Sequence, residues 1–258
     1  MFSKLLKSLI ILALPIGVNA QIYAEANFLQ FAAPKTGTYL ETILSIDAGS
    51  LVSISQPDSS FSRGAGIGML ILNKKTNQFV FADKYTLMAP KTKDSIYPYM
   101  VLDVRRIPLK NGEYEAQLFI SDLHNPKDTL KTKQTIQIEQ NRQETFLSDI
   151  LLVESMKPTT GATKLTKSGY DIIPFTGAFY PKTISTLTFY VEAMFNEALL
   201  SLPDKNIVFQ FFIENADSKS VVEGFSGFSR QEIKEVNMFI FLFSRNIFLC
   251  DENINTEN

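Results

Sequence analysis

The stretch "IPLKNGEYEAQLFISDL", residues 107–123, decides the fold class. Tyr114 follows the Asn111-Gly112 turn, and apolar residues then alternate through Leu118 and Ile120. This alternation is typical of a strand with one buried face. A tyrosine two residues after a glycine fits the tyrosine corner of immunoglobulin-like domains, where the hydroxyl bonds back to the upstream backbone. The dipeptide also fits a plain two-residue hairpin, and both interpretations remain open.

Strand-like patterns flank this stretch on both sides. "IGMLIL", residues 67–72, is almost continuously apolar and predicts a strand buried on both faces. In "TLKTKQTIQIE" the residues Leu130, Ile136 and Ile138 share one face. "TYLETILSI" places Leu40, Leu44 and Ile46 on one face and Tyr39, Glu41 and Ser45 on the other. Roughly seven such strands before residue 140 predict a β-sandwich.

The whole chain is therefore predicted to be all-β, with tandem immunoglobulin-like β-sandwiches. The predicted order is a signal peptide (1–20), a first sandwich (21–140), a polar linker (141–145), a second sandwich (146–237) and an aberrant or disordered tail (238–258). The second series gives about five strands and no Gly-x-Tyr corner, which predicts an incomplete second sandwich.

The first 20 residues have the layout of a secretory signal peptide. Lys4 and Lys7 precede a short apolar run, and cleavage is expected between Ala20 and Gln21. The alternative is a membrane anchor, but the run is well short of the ~20 residues that span a bilayer. We therefore predict export with no stable membrane span after the signal is removed.

Composition limits the partners and the cellular location that can be expected for the protein. The net charge is −2 and no long basic block occurs, so binding to nucleic acid is not indicated. Cys250 is the sole cysteine, so an internal disulfide is impossible. An exported chain without disulfides fits a bacterial periplasm or cell surface, where a partner would be another envelope protein. The oligomeric state stays open.

The C-terminal residues do not follow the alternating pattern of the preceding strands. The apolar run at residues 239–243 has no inward and outward alternation, and the last eight residues are polar. We interpret this as a second sandwich cut short, with an exposed sheet edge and apolar run that favour association. The alternative is a buried strand followed by a disordered tail.

Six segments together resemble the N-terminal region of GWxTD domain-containing proteins of Bacteroidota. They are "GTYLETILSID", "FADKYTLMAP", "LKNGEYEAQLFISDLHNP", "SDILLVES", "LTKSGYDIIPFTGAFYP" and "LTFYVEAM", in order from Gly37 to Met194. The resemblance implies an envelope location and a sandwich fold. The chain contains no tryptophan, so the domain that names the family is absent and its role does not carry over.

Candidate catalytic and metal-binding residues are few. His124 is the only histidine, and Asp122 and Asp128 lie near it in "SDLHNPKD". These residue types are also the usual constituents of a surface turn after a strand, which is the interpretation we favour. With one cysteine, Cys250, thiolate zinc sites are excluded. No catalytic, metal-binding or cofactor-binding residue, and no cofactor, is predicted.

Three further patterns have structural interpretations. "RGAGIG" (residues 63–68) leads into a strand rather than a helix, so its glycines indicate a bulge or close packing rather than phosphate binding. Glu113 and Glu115 lie on the outward face, where charge is solvated. Four aromatic residues are expected to anchor the core or the loops, and the alternative is that they form a binding ridge. They are Tyr97, Tyr99, Phe175 and Phe179.

The sequence thus predicts an exported, non-catalytic envelope protein with a binding or structural role. One alternative is a truncated accessory fragment of a larger GWxTD-domain protein. Another is a hydrolase that works with carboxylates alone, since 27 acidic residues are available.

Overall fold

The computed structural model describes residues 21–33, 37–94, 99–140, 144–177, 179–180, 184, 186–195, 201, 206–232 and 238–246. The predicted signal peptide and most of the predicted linker lie outside these residues. The described elements are strands apart from one 3₁₀ turn at Ala48–Ser50. In this part of the chain no helix is long or apolar enough to cross a membrane.

Residues 24–138 form two antiparallel sheets and one short ribbon. Sheet 1 has the order β1-β2-β7 and sheet 2 has the order β6-β5-β8-β9, with β3 and β4 paired as a ribbon between them in sequence. The strands are β1 (Ala24–Ala33), β2 (Gly37–Asp47), β3 (Ile54–Ser55), β4 (Phe61–Ser62), β5 (Gly64–Asn73), β6 (Gln78–Met88), β7 (Met100–Pro108), β8 (Gly112–Asp122) and β9 (Thr129–Ile138).

The first hydrophobic core lies between sheets 1 and 2. It takes alternate residues of each strand, as the period-two pattern predicted, including Leu40, Leu44, Ile67, Leu118 and Ile138. The prediction of a β-sandwich is therefore confirmed. The prediction that β5 is buried on both faces is wrong in part, because Leu70 and Leu72 on its second face are only half-buried.

Tyr114 forms the predicted corner. Its hydroxyl donates to the Lys110 carbonyl at 2.8 Å, and its ring is buried in the first core. Strand β7 belongs to sheet 1 and β8 to sheet 2, so the Asn111-Gly112 turn passes between sheets. The plain hairpin is thus ruled out, because the two strands beside the turn do not pair.

The remaining described residues form a six-stranded sheet and a hairpin. In sheet 3, β14 pairs with β10 and β11 on one side and with β17 on the other, and the order continues through β13 to β12. Strands β15 and β16 form the hairpin. The bounds are β10 (Phe146–Leu147), β11 (Leu151–Pro158), β12 (Thr166–Lys167), β13 (Tyr170–Pro174), β14 (Thr186–Met194), β15 (Asn206–Glu214), β16 (Val221–Glu232) and β17 (Met238–Asn246).

Sheet 3 packs on the outer face of sheet 1, so sheet 1 is the middle of three layers. Phe31 and Ile43 of sheet 1 share a second core with Leu151, Val153 and Tyr190 of sheet 3. Strand β2 can serve two cores because it carries Leu40 and Leu44 on one face and Ile43 on the other. The sequence predicted separate sandwiches joined by a linker, and the shared middle sheet differs from that picture.

Strand β17 corrects the prediction of an aberrant or disordered tail from residue 238. Residues Met238–Asn246 pair with all nine residues of β14 in antiparallel register. A run rich in phenylalanine and isoleucine has high β propensity, and main-chain pairing at a sheet edge requires no alternation of side chains. The remainder of the predicted tail, residues 247–258, lies outside the described residues.

Candidate functional site

One face of sheet 3 is buried against sheet 1 and the other lines a groove, as the residues of β14 show. Its alternate residues Tyr190 and Glu192 are buried toward sheet 1. Leu187, Phe189 and Val191 point to the opposite side and line an open groove. Because both sets lie on one strand, each face of sheet 3 carries its own candidate site.

The first site, the apolar groove, lies between sheet 3 and the β15–β16 hairpin and has a volume of about 450 Å³. Sheet 3 contributes six strands to this pair of layers, whereas the hairpin contributes two among the described residues. The facing layer is therefore narrower than the sheet that it covers. The lining is Leu147, Ser148, Ile150, Leu152, Leu187, Phe189, Val191, Phe209, Gln210, Phe211, Phe212, Ile213 and Phe225.

An aromatic pair sets the distance between hairpin and sheet. The rings of Phe189 and Phe211 meet edge to face with centroids 5.8 Å apart. Phe211 lies over Gly227, its cross-strand partner, and a Cβ at that glycine would come within 2.5 Å of Cζ of Phe211. Glycine in β16 thus leaves the space in which the ring lies flat on the hairpin.

The hairpin is also apolar on its outer side. Val208, Val221 and Phe228 are exposed there, with Phe228 at 78%. Among the described residues β15 and β16 pair only with each other. A strand edge with apolar side chains on both faces is a template for a further strand.

The groove has the properties of a binding site. Among the described residues that line it none is acidic or basic, and the polar ones are Ser148 and Gln210. The groove can therefore exclude water from an apolar ligand.

The second site, the buried charge cluster, lies between sheets 1 and 3 and consists of three buried residues, Glu41, Lys167 and Glu192, together with Arg106, which is exposed at its margin. Nζ of Lys167 lies 2.9 Å from Oε2 of Glu41, and Nε of Arg106 lies 2.7 Å from the same oxygen. Glu41, Lys167 and Glu192 are 2%, 6% and 3% exposed. Such deeply buried charges are retained only with good geometry and paired partners.

Aromatic rings surround the lysine. Nζ of Lys167 lies 3.1 Å from the ring centroid of Phe31, 5.3 Å from that of Tyr39 and 5.8 Å from that of Tyr190. These rings stabilise the cation by their negative faces and also exclude water from it. The lysine therefore contacts carboxylate and aromatic carbon rather than solvent.

Burial changes the acid–base properties of the cluster. It lowers the pKa of Lys167, although the charges of Glu41 and Glu192 oppose that shift. Burial raises the pKa of Glu192, although Lys167 and the Tyr190 hydroxyl oppose it. That hydroxyl donates to Oε1 of Glu192 at 2.5 Å. Both shifts favour uncharged forms of two neighbouring groups.

The cluster is closed to larger molecules. The gap beside Glu41, Arg106 and Lys167 measures about 10 Å³, close to the space of a single water molecule. Its carboxylates therefore cannot act on an external sugar or ester in this conformation.

A third network surrounds Asp103, which is buried on β7. Its carboxylate accepts from the Tyr85 hydroxyl at 2.6 Å, from Nζ of Lys164 at 2.9 Å and from Nε of Arg105 at 3.1 Å. Burial opposes its ionisation, but these three hydrogen bonds outweigh burial and lower the pKa of Asp103. Tyr85 lies in sheet 2, Asp103 in sheet 1 and Lys164 in the loop before β12. The Asp103 carboxylate therefore links three parts of the chain by hydrogen bonds.

The turn that contains His124 has a structural role. The Asp122 carboxylate accepts from the backbone amides of Val52 at 2.6 Å, His124 at 2.7 Å and Asn125 at 3.1 Å. Asp128 contributes its backbone carbonyl, which accepts from the Asp122 amide. No cluster of metal-ligating side chains occurs among the described residues, and Cys250 lies outside them.

The glycines of "RGAGIG" lie on β5 and allow close packing. A Cβ at Gly64 would lie 2.6 Å from Sδ of Met88, and one at Gly66 would lie 2.9 Å from Oγ of Ser121. The register irregularity of β5 falls between Ile71 and Leu72, so the glycines mark close approach rather than a bulge.

The remaining sequence candidates fall on the surface or in loops. Glu113 and Glu115 pair with Lys74 and Lys133 on neighbouring segments. The Phe175 ring stacks on Tyr180 with centroids 4.2 Å apart, as expected for a loop anchor. Phe179 and Tyr99 are exposed, at 76% and 65%, while Tyr97 lies outside the described residues.

Sequence reasoning missed the charge cluster. It placed Glu41 on the correct face of β2 but treated the apolar face alone as core. A signal was present, because Ile43 lies between Glu41 and Ser45 on the supposedly polar face. Lys167, by contrast, follows a loop rich in lysine and threonine, and nothing local distinguishes it from its neighbours.

Comparison with solved structures finds structural likenesses, whereas the sequence comparisons find none. No protein-family model and no curated protein matches the sequence. Among solved structures, the chain is similar to that of red sea bream transglutaminase, with 9% identity and a TM-score of 0.28. The likeness covers 86% of this chain and 27% of the transglutaminase, so the chain spans well under two thirds of that protein's length.

Proposed function

We propose that this protein is an exported, non-catalytic component of the bacterial cell envelope that binds an extended apolar strand of another envelope protein. The observation that carries the proposal is the apolar groove, where a two-stranded hairpin covers part of a six-stranded sheet. A strand beside the hairpin would occupy the groove and add to β15 or β16 by main-chain pairing, as in β-strand addition.

A strand fits the groove better than a lipid chain does. Both would occupy the apolar lining, but only a peptide uses the hydrogen-bonding groups along the edges of β15 and β16. Non-catalytic action is supported by the lining, which has no titratable side chain in the part of the chain that the structure describes, and by the small gap beside the Glu41 carboxylate.

Export is supported by the position of the first core residue. Ile22 is buried at 4%, two residues after the expected cleavage site. Removal of residues 1–20 would leave Ile22 and the whole of β1 in place. N-terminal mass mapping of the protein secreted by a bacterial host should find Gln21 as the first residue. Retention of residues 1–20 on the mature protein would refute export with cleavage.

Strand binding is tested with a fluorescein-labelled peptide of nine alternating valine and threonine residues. Fluorescence anisotropy should show saturable binding, and Phe209→Ser should weaken it at least tenfold. Phe228→Ser is the matched control, because Phe228 lies on the exposed side of the same hairpin and should leave the affinity within twofold. A peptide with proline at alternate positions, which lacks half of the backbone donors, should not bind.

Three results would overturn the proposed occupant. Binding of palmitate with no binding of the strand peptide would assign the groove to a lipid chain. Dimerisation that Phe209→Ser abolishes, measured by light scattering, would assign it to a second copy of this chain. Equal binding by Phe209→Ser and Phe228→Ser would remove the groove from the interaction.

A second proposal follows from the resemblance to GWxTD domain-containing proteins. In it, the chain is an accessory fragment of a larger protein of that kind, and the six similar segments support it. Sequencing the DNA beyond the stop codon tests this proposal. A continuation that encodes Gly-Trp-x-Thr-Asp would support it, and unrelated intergenic sequence would refute it.

A further inference from the structure

The buried charge cluster places an amine, a carboxyl group and a second carboxyl group together in a dry aromatic pocket. Nζ of Lys167 lies 2.9 Å from Oε2 of Glu41, which places the amine next to the carboxyl carbon that this oxygen is bonded to. The two residues come from different layers, β12 of sheet 3 and β2 of sheet 1, and are separated by 126 residues in sequence. A bond between them would join the layers covalently.

We propose that Lys167 and Glu41 form an intramolecular amide bond, with Glu192 as the proton-transfer group. Since the neighbouring gap is about 10 Å³, no external acyl donor reaches the lysine, and Glu41 is the electrophile within its reach. This cross-link is independent of strand binding in the groove.

The reaction is a condensation without any oxidant or reductant. The uncharged amine of Lys167 attacks Cδ of Glu41, so that an N–C bond forms and a tetrahedral centre develops. The proton that Lys167 gives up on becoming the amine is held by Glu192, which donates it to the departing oxygen of Glu41, and that oxygen takes its second proton from the attacking nitrogen. The C–O bond breaks, and the oxygen leaves as water. An ammonium and a carboxylate are thus converted into one amide and one water molecule.

The surroundings favour each step. Burial lowers the pKa of Lys167, which favours the nucleophilic amine, and raises the pKa of Glu192, which favours the acid that donates a proton. The Arg106 guanidinium, 2.7 Å from Oε2 of Glu41, is placed to stabilise the negative charge that develops on that oxygen. The Tyr190 hydroxyl holds Glu192 in position.

The product removes an electrostatic cost. Two charges in a dry interior are costly even when they are paired, and the amide replaces both with a neutral group. The charges that remain are Arg106 and Glu192, which are opposite in sign. The cluster therefore stays balanced after the bond has formed.

Mass spectrometry of the denatured, trypsin-digested full-length protein tests the proposal directly. A cross-link blocks cleavage after Lys167, so residues 36–63 should appear joined to residues 165–182, lighter than the two peptides together by one water molecule. Recovery of residues 36–63 wholly as a free peptide, with cleavage after Lys167, would overturn the proposal.

Two variants test the chemistry. Glu192→Gln keeps the hydrogen bond from Tyr190 but cannot relay the proton, and it should lose at least nine-tenths of the joined peptide while retaining the wild-type circular dichroism spectrum. Lys164→Arg is the matched control, because Lys164 is an exposed lysine three residues away and its replacement should leave the cross-link intact. Full cross-linking in Glu192→Gln would refute the role of Glu192.

Discussion

Replacing Tyr114 with phenylalanine removes one hydroxyl from the corner that connects sheets 1 and 2. That hydroxyl donates to the Lys110 carbonyl at 2.8 Å, while the ring is 3% exposed. Because Lys110 is exposed, its carbonyl can bind water once the hydroxyl is lost. The expected cost is therefore that of one neutral hydrogen bond, about 1 kcal/mol in the free energy of unfolding.

Replacing Tyr114 with alanine also removes the ring and leaves a cavity in the first core. Loss of a large buried aromatic side chain costs about 3–5 kcal/mol, so this variant should lose several times as much stability as the phenylalanine variant. Tyr23→Phe is the control. Its hydroxyl bonds to Glu25 at 2.8 Å on an exposed surface, and the change should stay within about 0.5 kcal/mol.

Urea unfolding followed by far-ultraviolet circular dichroism measures these differences, since the chain has no tryptophan for fluorescence. The midpoints should shift while the slope with urea concentration stays constant. A Tyr114→Phe variant as stable as the wild type would refute the corner hydrogen bond. One as unstable as Tyr114→Ala would show that the hydroxyl, rather than the ring, supports the corner.

Three further predictions concern stability. The lowered pKa of Asp103 means that its ionised form stabilises the fold above the ordinary value of 3.8 and that this contribution is lost as the pH falls through the folded-state pKa. Asp103→Asn should therefore melt below the wild type at neutral pH by a margin that shrinks below pH 3.8, and a constant margin would contradict this reasoning. Gly64→Ala should cost no more than about 1 kcal/mol in urea unfolding, because Sδ of Met88, 2.6 Å from the added Cβ, belongs to a flexible side chain that can move aside, and Gly68→Ala, with its nearest contact at 3.6 Å, should cost less. Asp122→Ala leaves three backbone amides without their acceptor and should cost about 1–3 kcal/mol, while His124→Ala should stay within about 0.5 kcal/mol; equal melting temperatures for the two variants would refute the turn-stabilising role of Asp122.

The features that could be predicted from the sequence are local in the chain. The corner at Tyr114 spans four residues, and alternation within one strand identifies its core-facing side without knowledge of the partner strand. The packing of sheet 3 on sheet 1 is different, because the contact between Glu41 and Lys167 joins residues 126 positions apart. No local pattern encodes such a pairing, so the charge cluster could not be predicted as a site.

The edge strand β17 shows a related limit. Its apolar run lacks alternation, and the sequence interpretation therefore excluded a half-solvated strand. An edge strand needs only one paired side, however, and β14 provides nine partners for it. The pattern rule applies to strands that separate core from solvent, and it does not describe a strand added along the side of an existing sheet.

The two sites occupy opposite faces of β14, and this arrangement bears on how the groove can stay open. The register of a strand is strongly specified where one of its faces is buried. Tyr190 and Glu192 fix that face through the charge cluster, whereas Phe189 and Val191 remain directed into the groove. Under the proposed function, the hairpin, which contacts sheet 3 through the Phe189–Phe211 pair, is the layer beside which the incoming strand adds. The floor of the groove is anchored on sheet 1, because the charge cluster lies on the opposite face of the same strand.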